Sequence, residues 1–144
     1  MRFFAPVVLA VAAIAAPLAA GAERPCPTDA VRGYFRALDR QDFSGAIALT
    51  SGDAQVQTSQ IIDTLKSQAA AHKARVEVKV KTLDVRSPGT PDARGVPVPV
   101  AFHIDVVGHR WCFSKVKQLD GEARFYIDPA RPDRIVAIEG RIVE

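Results

Sequence analysis

His103 and Asp105 are separated by one residue and have the spacing of two metal ligands on a strand. Side chains two residues apart on a strand project from the same face, and imidazole and carboxylate groups both bind zinc. His109 would supply a third ligand, but it falls in a predicted turn at Gly108-His109. We therefore interpret these side chains as solvated residues on an outer strand face, and we predict neither a metal nor a cofactor.

Three other side chains are candidates for lining a ligand pocket, namely Tyr34, His72 and Ser114. General acid–base catalysis needs a titratable group within hydrogen-bond reach of the substrate, in a site from which water is excluded. The predicted elements bring no pair of carboxylates and no Asp-His couple to the inner side of the sheet. We therefore predict a binding domain without catalytic residues. The alternative is a small isomerase, dehydratase or hydrolase that uses Tyr34, His72 or Asp63.

The chain has two cysteines, Cys26 and Cys112. They lack the C-x-x-C spacing of a redox-active pair, and two cysteines in an exported protein usually form a disulfide. We predict a bridge between them. On the chain-entropy model, a loop of this length would stabilise the fold by as much as about 4 kcal/mol.

The N-terminal segment has the features of a secretory signal peptide. Arg2 precedes an uncharged apolar run that Pro17 interrupts, and Ala20-Gly21-Ala22 fits the A-x-A cleavage pattern. A membrane anchor is the alternative, but the run is shorter than the roughly 20 residues of a spanning helix. We predict that residues 1–22 are removed and that residues 23–144 form a single domain. This domain would be periplasmic or secreted, with no stable membrane anchor.

The charge of the predicted mature chain is nearly balanced. Of the 19 lysines and arginines one is Arg2, so 18 basic side chains remain against 16 acidic ones. The basic residues are scattered along the chain and are not grouped into stripes with aromatic residues. This distribution excludes the usual footprint of a nucleic-acid-binding protein, and we predict no nucleic-acid partner.

Helical periodicity characterises the first half of the mature chain. A first amphipathic helix is predicted to begin at Thr28. Its apolar stripe consists of Val31, Tyr34, Phe35 and Leu38. Asp42 is predicted to cap a second, shorter helix, and a third helix is predicted from about Ser59 to His72.

From Arg75 onwards the apolar period changes to two, which predicts five strands. The first strand has a predicted bulge near Lys81-Thr82. Turns predicted at Gly108-His109 and Asp120-Gly121 would make two consecutive hairpins. Because helices and strands are segregated, we predict an α+β fold. Three N-terminal helices would pack on a curved, mainly antiparallel five-stranded sheet.

The connection at Gly108 decides which hairpin residues face the helices. A loop of odd length places Cys112 and Ser114 on the helix side, whereas a two-residue turn places Trp111 and Phe113 there. We prefer the odd loop, since it agrees with the turn predicted at Asp120-Gly121.

The preferred register leaves an aromatic patch on the outer face of the sheet. Trp111, Phe113 and Tyr126 would lie there, with lysines between them. An exposed apolar patch with a basic rim is typical of a contact surface. We therefore predict a homodimer or a protein partner at this face.

The order of elements and the opening pattern VRGYFRALDRQDFSGAIAL resemble the nuclear transport factor 2-like superfamily of cone-shaped α+β rolls. Members often open with a Tyr-Phe-x-x-Leu helix, an acidic turn and an Ala-x-x-Leu helix. The matching residues are Tyr34, Phe35, Leu38, Asp42, Ala46 and Leu49. The superfamily includes ketosteroid isomerase-like and dehydratase-like enzymes as well as binding domains. The resemblance therefore implies a cone that holds a small apolar ligand, but it does not choose a reaction.

Overall fold

The structure, a computed structural model, describes residues 26–111 and 113–143. Three helices come first: α1 (Pro27–Asp39), α2 (Phe43–Ala48) and α3 (Gly52–Ala71). Four strands follow: β1 (Arg75–Val85), β2 (Val96–Arg110), β3 (Phe113–Ile127) and β4 (Ile135–Val143). The strands form one antiparallel sheet in the order β1-β2-β3-β4, so the fold is α+β.

The predicted signal peptide, residues 1–22, and Cys112 lie outside the described residues. Within the part of the chain that is described, no helix is both long enough and apolar enough to cross a membrane.

The apolar stripe of α1 is confirmed, because Val31, Tyr34 and Phe35 are buried and Leu38 packs against them. The helix begins before Thr28, however, with Cys26 as its N-cap and Pro27 in its first turn. Proline is common at this position, because it lacks an N–H and the first N–H groups of a helix have no partner within the helix.

Helix α3 begins seven residues before the predicted Ser59. Its first buried side chains are Ala54, Thr58 and Ile62, four residues apart. This spacing is helical, but an alanine and a threonine give a weak apolar signal, and the start of the helix was therefore missed. Ile61, the neighbour of the buried Ile62, is 56% exposed.

The predicted turn at Asp120-Gly121 is wrong, and the sheet accordingly has four strands rather than five in the described residues. Strand β3 runs straight through this dipeptide, with Gly121 paired to Phe102 of β2. A Cβ atom on Gly121 would lie 2.3 Å from Cζ of Phe102. The glycine is therefore needed for the space that the phenylalanine ring takes, and not for a turn.

The connection between β2 and β3 is also shorter than predicted. Arg110 pairs with Phe113, so the loop contains two residues, and the first of them, Trp111, has a φ of 57°. With this even connection, Ser114 lies on the outer face and Phe113 takes the helix-side register. The preferred odd loop is therefore wrong, while the bulge predicted near Lys81-Thr82 is confirmed.

The two ends of β3 differ in the number of described strands that pair with them. We call Asp120–Ile127 the near half of β3 and Phe113–Leu119 its far half. The near half pairs with β2 on one side and β4 on the other, and Phe125 and Ile127 belong to the core. The far half pairs with β2 and with no other described strand.

The edge of the sheet at β1 is closed by side chains from the end of α1. The Gln41 side-chain amide donates to the carbonyl of Val78 at 2.5 Å, and its oxygen accepts from the Val78 N–H at 2.8 Å. Asp39 accepts from the N–H of Val80 at 2.9 Å. These contacts satisfy backbone groups that would otherwise be open to pairing with another chain.

Candidate functional site

The space between the helices and the sheet is packed with aromatic rings. The centroid of Tyr34 lies 5.4 Å from that of Phe125 and 5.6 Å from that of Phe35. Phe35 also lies 5.4 Å from both Phe102 and Phe125. The predicted cone is therefore a packed core at this level, and these rings occupy the place where a small apolar ligand was expected.

Tyr34 is one of these core residues and not a rim residue. Its hydroxyl forms a 3.0 Å hydrogen bond with Oγ1 of Thr58, which is 1% exposed. Burial raises the pKa of Tyr34, and the bond to Thr58 offsets only part of this effect. The hydroxyl is thus held neutral and already has a partner, which suits a structural role better than acid–base chemistry.

The other predicted pocket residues do not join Tyr34. His72 is an exposed residue at the C-terminal cap of α3, and Asp63 is exposed on the same helix. Ser114 is exposed on the opposite side of the sheet. The structure therefore does not bring Tyr34, His72 and Ser114 together.

Ser114 instead belongs to a cross-strand chain of polar side chains. Nδ1 of His109 lies 3.0 Å from the Ser114 hydroxyl, and Nε2 of the same ring lies 3.3 Å from a Glu77 carboxylate oxygen. A serine that is hydrogen-bonded to a histidine, which is in turn hydrogen-bonded to a carboxylate, forms the catalytic triad of many hydrolases. Glu77 was missed because its proximity depends on the register between β1 and β2.

A second histidine is held between two carboxylates. Nδ1 of His103 lies 2.5 Å from Asp120, and its Nε2 lies 3.1 Å from Asp105, which is 8% exposed. The hydrogen bond to Asp120 is the main cause that raises the pKa of His103. Lys81 lies 4.0 Å from the other Asp105 oxygen. The arrangement is an ion-pair cluster that favours the protonated ring.

His109 does not join His103 and Asp105 as a third metal ligand. His103 and Asp105 share a face as predicted, but His109 contacts Glu77 and Ser114 instead. No group of three or more metal-binding side chains is found in residues 26–111 and 113–143.

The outer face of the sheet carries a broad, open cleft of about 1260 Å³. Its charged side chains alternate in sign across the strands, since Arg124 pairs with Glu139 and Arg141 with Glu122. Ala101 contributes a small side chain to its lining. The lining of this cleft therefore carries charges of both signs.

Three large apolar side chains at the tip of the β2–β3 hairpin are exposed. Trp111 is 95% exposed, Phe113 76% and Val116 50%. The charges beside them are positive, from Arg110, Lys115 and Lys117. We call residues 110, 111 and 113–119 the hairpin end.

Tyr126, the third residue of the predicted aromatic patch, is not part of the hairpin end. It lies in the near half of β3 and is 3% exposed. The guanidinium of Arg94 lies 5.3 Å from the centroid of the Tyr126 ring. The Tyr126 hydroxyl donates a hydrogen bond to Glu139 at 3.4 Å. The predicted outer-face patch is therefore wrong in two respects, since Tyr126 is covered and Phe113 takes the helix-side register.

The far half of β3 has a backbone edge that is open among the described residues, which we call the open edge. Val78 directs its N–H and C=O to Gln41, away from β2. Its pairing partner Val106 must then direct its own groups to β3, where it pairs with Lys117. Because this direction alternates along a strand, the N–H and C=O groups of the residues between point away from β2. These residues are Ser114, Val116 and Gln118.

Cys26 is an exposed free thiol whose sulfur lies 3.2 Å from the Thr28 hydroxyl. Its predicted partner, Cys112, lies outside the described residues, so the disulfide stays a prediction.

Comparison with known proteins supports the fold. No protein-family model matches the chain, and neither does any curated protein. Among solved structures, the chain is similar to the crystal structure of a putative polyketide cyclase from Xanthomonas campestris pv. campestris. The TM-score is 0.53 and the identity 14%, over 76% of this chain and 87% of that chain. At this identity the similarity shows a shared fold alone, and it supports the predicted α+β fold.

Proposed function

We propose that this protein is an exported binding domain without catalytic activity, and that it contacts a partner protein through the hairpin end. The observation that carries the proposal is the exposure of Trp111 and Phe113, at 95% and 76%. Tryptophan and arginine are enriched among the residues that dominate binding energy at protein interfaces, and Arg110 adjoins Trp111. Export is supported by the signal-peptide pattern of residues 1–22.

The packed interior also favours binding at the outside of the molecule. Tyr34, Phe35 and Phe125 are 6% exposed or less and contact one another through their rings. A small apolar ligand in the cone would have to displace these side chains. A partner at the hairpin end needs no such change.

A site-specific cross-linking experiment tests this proposal. A photo-reactive amino acid is placed at Trp111 and, as a control, at Val56, which is 56% exposed on α3. In cells that produce the protein, position 111 should give one discrete adduct and position 56 none. Equal labelling at both positions, or none at 111, would contradict the proposal. A mass measurement on the same material tests whether the mature chain begins at Glu23.

A hydrolase is the second candidate, and the chain of Glu77, His109 and Ser114 is the observation that favours it. In such an enzyme His109 would accept the proton of the Ser114 hydroxyl as the serine oxygen attacks an ester carbonyl, and would pass this proton to the leaving alcohol as the ester C–O bond breaks. An ester substrate with a chromogenic leaving group tests this candidate. A binding domain should show only the rate of buffer. Turnover that disappears in Ser114→Ala and falls in Glu77→Gln would replace the binding proposal.

A further inference from the structure

We infer that the far half of β3 binds an extended segment of a partner protein as an additional strand, and that this segment carries acidic residues two positions apart. This inference rests on the proposed function of the hairpin end as the contact surface. Beyond the proposed function, the inference specifies the backbone conformation of the partner segment and the charge of the segment's side chains.

The backbone groups of the open edge can pair with an added strand. Ser114, Val116 and Gln118 direct their N–H and C=O groups to the side where no described strand pairs with them. An extended peptide placed along this edge would complete these hydrogen bonds, as in proteins that recognise a peptide by strand addition. At the edge of β1, by contrast, Gln41 and Asp39 close the positions of Val78 and Val80 with their side chains.

The side chains of the open edge favour a partner segment with negative charges. Lys115 and Lys117 lie on one face of the edge, and Val116 lies on the other. Side chains directly opposite on paired strands have Cβ atoms about 4.5–5.5 Å apart, and opposite charges there are favourable. A partner strand with the order acidic, apolar, acidic would place its carboxylates beside the lysines and its apolar residue beside Val116.

A second copy of this chain fits the edge poorly. Antiparallel self-pairing centred on Val116 would place Lys115 opposite the other copy's Lys117, and the same contact would occur twice by symmetry. Like charges directly opposite are destabilising, and lysines on edge strands commonly prevent such self-pairing.

A membrane surface also explains less of the hairpin end than a peptide does. Lipid would accept the Trp111 and Phe113 side chains, and anionic headgroups would attract Arg110. It would leave the N–H groups of the open edge without partners, which is costly in an apolar medium. A peptide strand satisfies both the backbone and the charges.

Two capped peptides test the inference on the mature protein. TEVETV places glutamates opposite Lys117 and Lys115 in the antiparallel alignment, and TKVKTV places lysines there. Trp111 is the only tryptophan, so its fluorescence reports binding close to the edge. Amide hydrogen exchange then shows whether Ser114, Val116 and Gln118 become protected. We expect TEVETV to bind and to protect these amides, and TKVKTV to bind at least tenfold more weakly.

Two pairs of variants separate backbone pairing from general stickiness. Val116→Pro removes an N–H from the open edge without removing a bond to β2, and proline is tolerated at such positions. It should weaken TEVETV binding at least tenfold, whereas Val116→Thr, which keeps the N–H, should not. Lys115→Glu should reverse the preference between the two peptides. The matched variant Lys66→Glu, on α3, should leave it unchanged.

The outcomes also separate this inference from the proposed function. Binding that ignores the peptide charge or Val116→Pro would overturn the strand inference. A Val116→Pro-sensitive dimer in light scattering, or binding to phosphatidylglycerol vesicles that requires Trp111, would also overturn it and identify another occupant. In these two cases the hairpin end would still be a contact surface. If no cross-linked adduct forms at position 111 either, the proposed function is wrong as well.

Discussion

Two borders of the sheet, at β1 and at the far half of β3, differ in how their backbone groups are covered. At β1, Gln41 forms two hydrogen bonds with the backbone of Val78, and Asp39 forms one with Val80. Gln41 adopts a φ of 61° in this position, a conformation that non-glycine residues rarely adopt. In the far half of β3 no described strand provides an equivalent cover. The border of the far half, which no described strand covers, is the one that the strand-addition inference uses, whereas the border at β1 is closed by the fold itself.

The largest expected difference is between two phenylalanines of the same strand. Phe125 lies in the near half and is 2% exposed, while Phe113 lies in the far half and is 76% exposed. Phe125→Ala should lower the free energy of unfolding by about 3–5 kcal/mol through lost burial and a cavity. Phe113→Ala should change it by less than about 0.5 kcal/mol. Denaturant titration of both variants measures this, and equal losses would contradict the division of β3 into two halves.

The boundary between the halves depends on Gly121. In Gly121→Val the new side chain would overlap the ring of Phe102, from which even a Cβ is only 2.3 Å away. We expect a loss of about 1–3 kcal/mol in unfolding free energy, as is usual for overpacking. Gly108→Ala is the control, because its Cβ would meet only the Lys115 carbonyl oxygen at 3.9 Å. Thermal unfolding should show a lower Tm for the first variant alone. A normal Tm for Gly121→Val would instead favour the turn expected from the sequence.

The closed border is tested by removing the side chain that covers it. Gln41→Ala loses both hydrogen bonds to Val78, which should cost about 1–3 kcal/mol at roughly 0.5–1.5 kcal/mol per bond. Gln118→Ala, an exposed glutamine of the open border, should have almost no effect. Chemical denaturation distinguishes the two, and an inert Gln41→Ala would show that the β1 cover does not stabilise the fold.

The smallest expected effect concerns the pH dependence of stability at His103. Its hydrogen bond to Asp120 raises the pKa in the folded state above the ordinary value of 6.5. The stabilisation is therefore complete below about pH 6.5 and is lost as the pH rises through the folded-state pKa. His103→Gln should remove this decline, so the difference in unfolding free energy between wild type and variant should shrink with rising pH. A difference that does not depend on pH would contradict the raised pKa.

Local patterns in the sequence predicted local features of the structure well. The stripe of α1, the Asp42 cap of α2 and the bulge near Lys81-Thr82 all depend on neighbouring residues, and the structure confirms them. The aspartate of the cap accepts from the N–H of Gly45, as expected for that position.

Features that depend on contacts between distant residues were predicted less well. Asp120-Gly121 has the composition of a tight turn, and only the Phe102 ring on the neighbouring strand explains the glycine. The face of Ser114 depended on the length of a single loop. The exposure of Trp111 was predicted, but the covering of Tyr126 by Arg94 follows from a contact between distant segments. For the same reason the open border was not visible in the sequence.

Hydrogen exchange of individual amides in the free mature protein tests the central claim most directly. The N–H groups of Val78 and Val80 donate hydrogen bonds to the side chains of Gln41 and Asp39, so they should exchange slowly. The amides of Ser114, Val116 and Gln118 should exchange at nearly the rate of an unstructured peptide, because they point to the open border. Protection of Val116 comparable to that of Val78 would contradict the account, since it would show that this border is already covered.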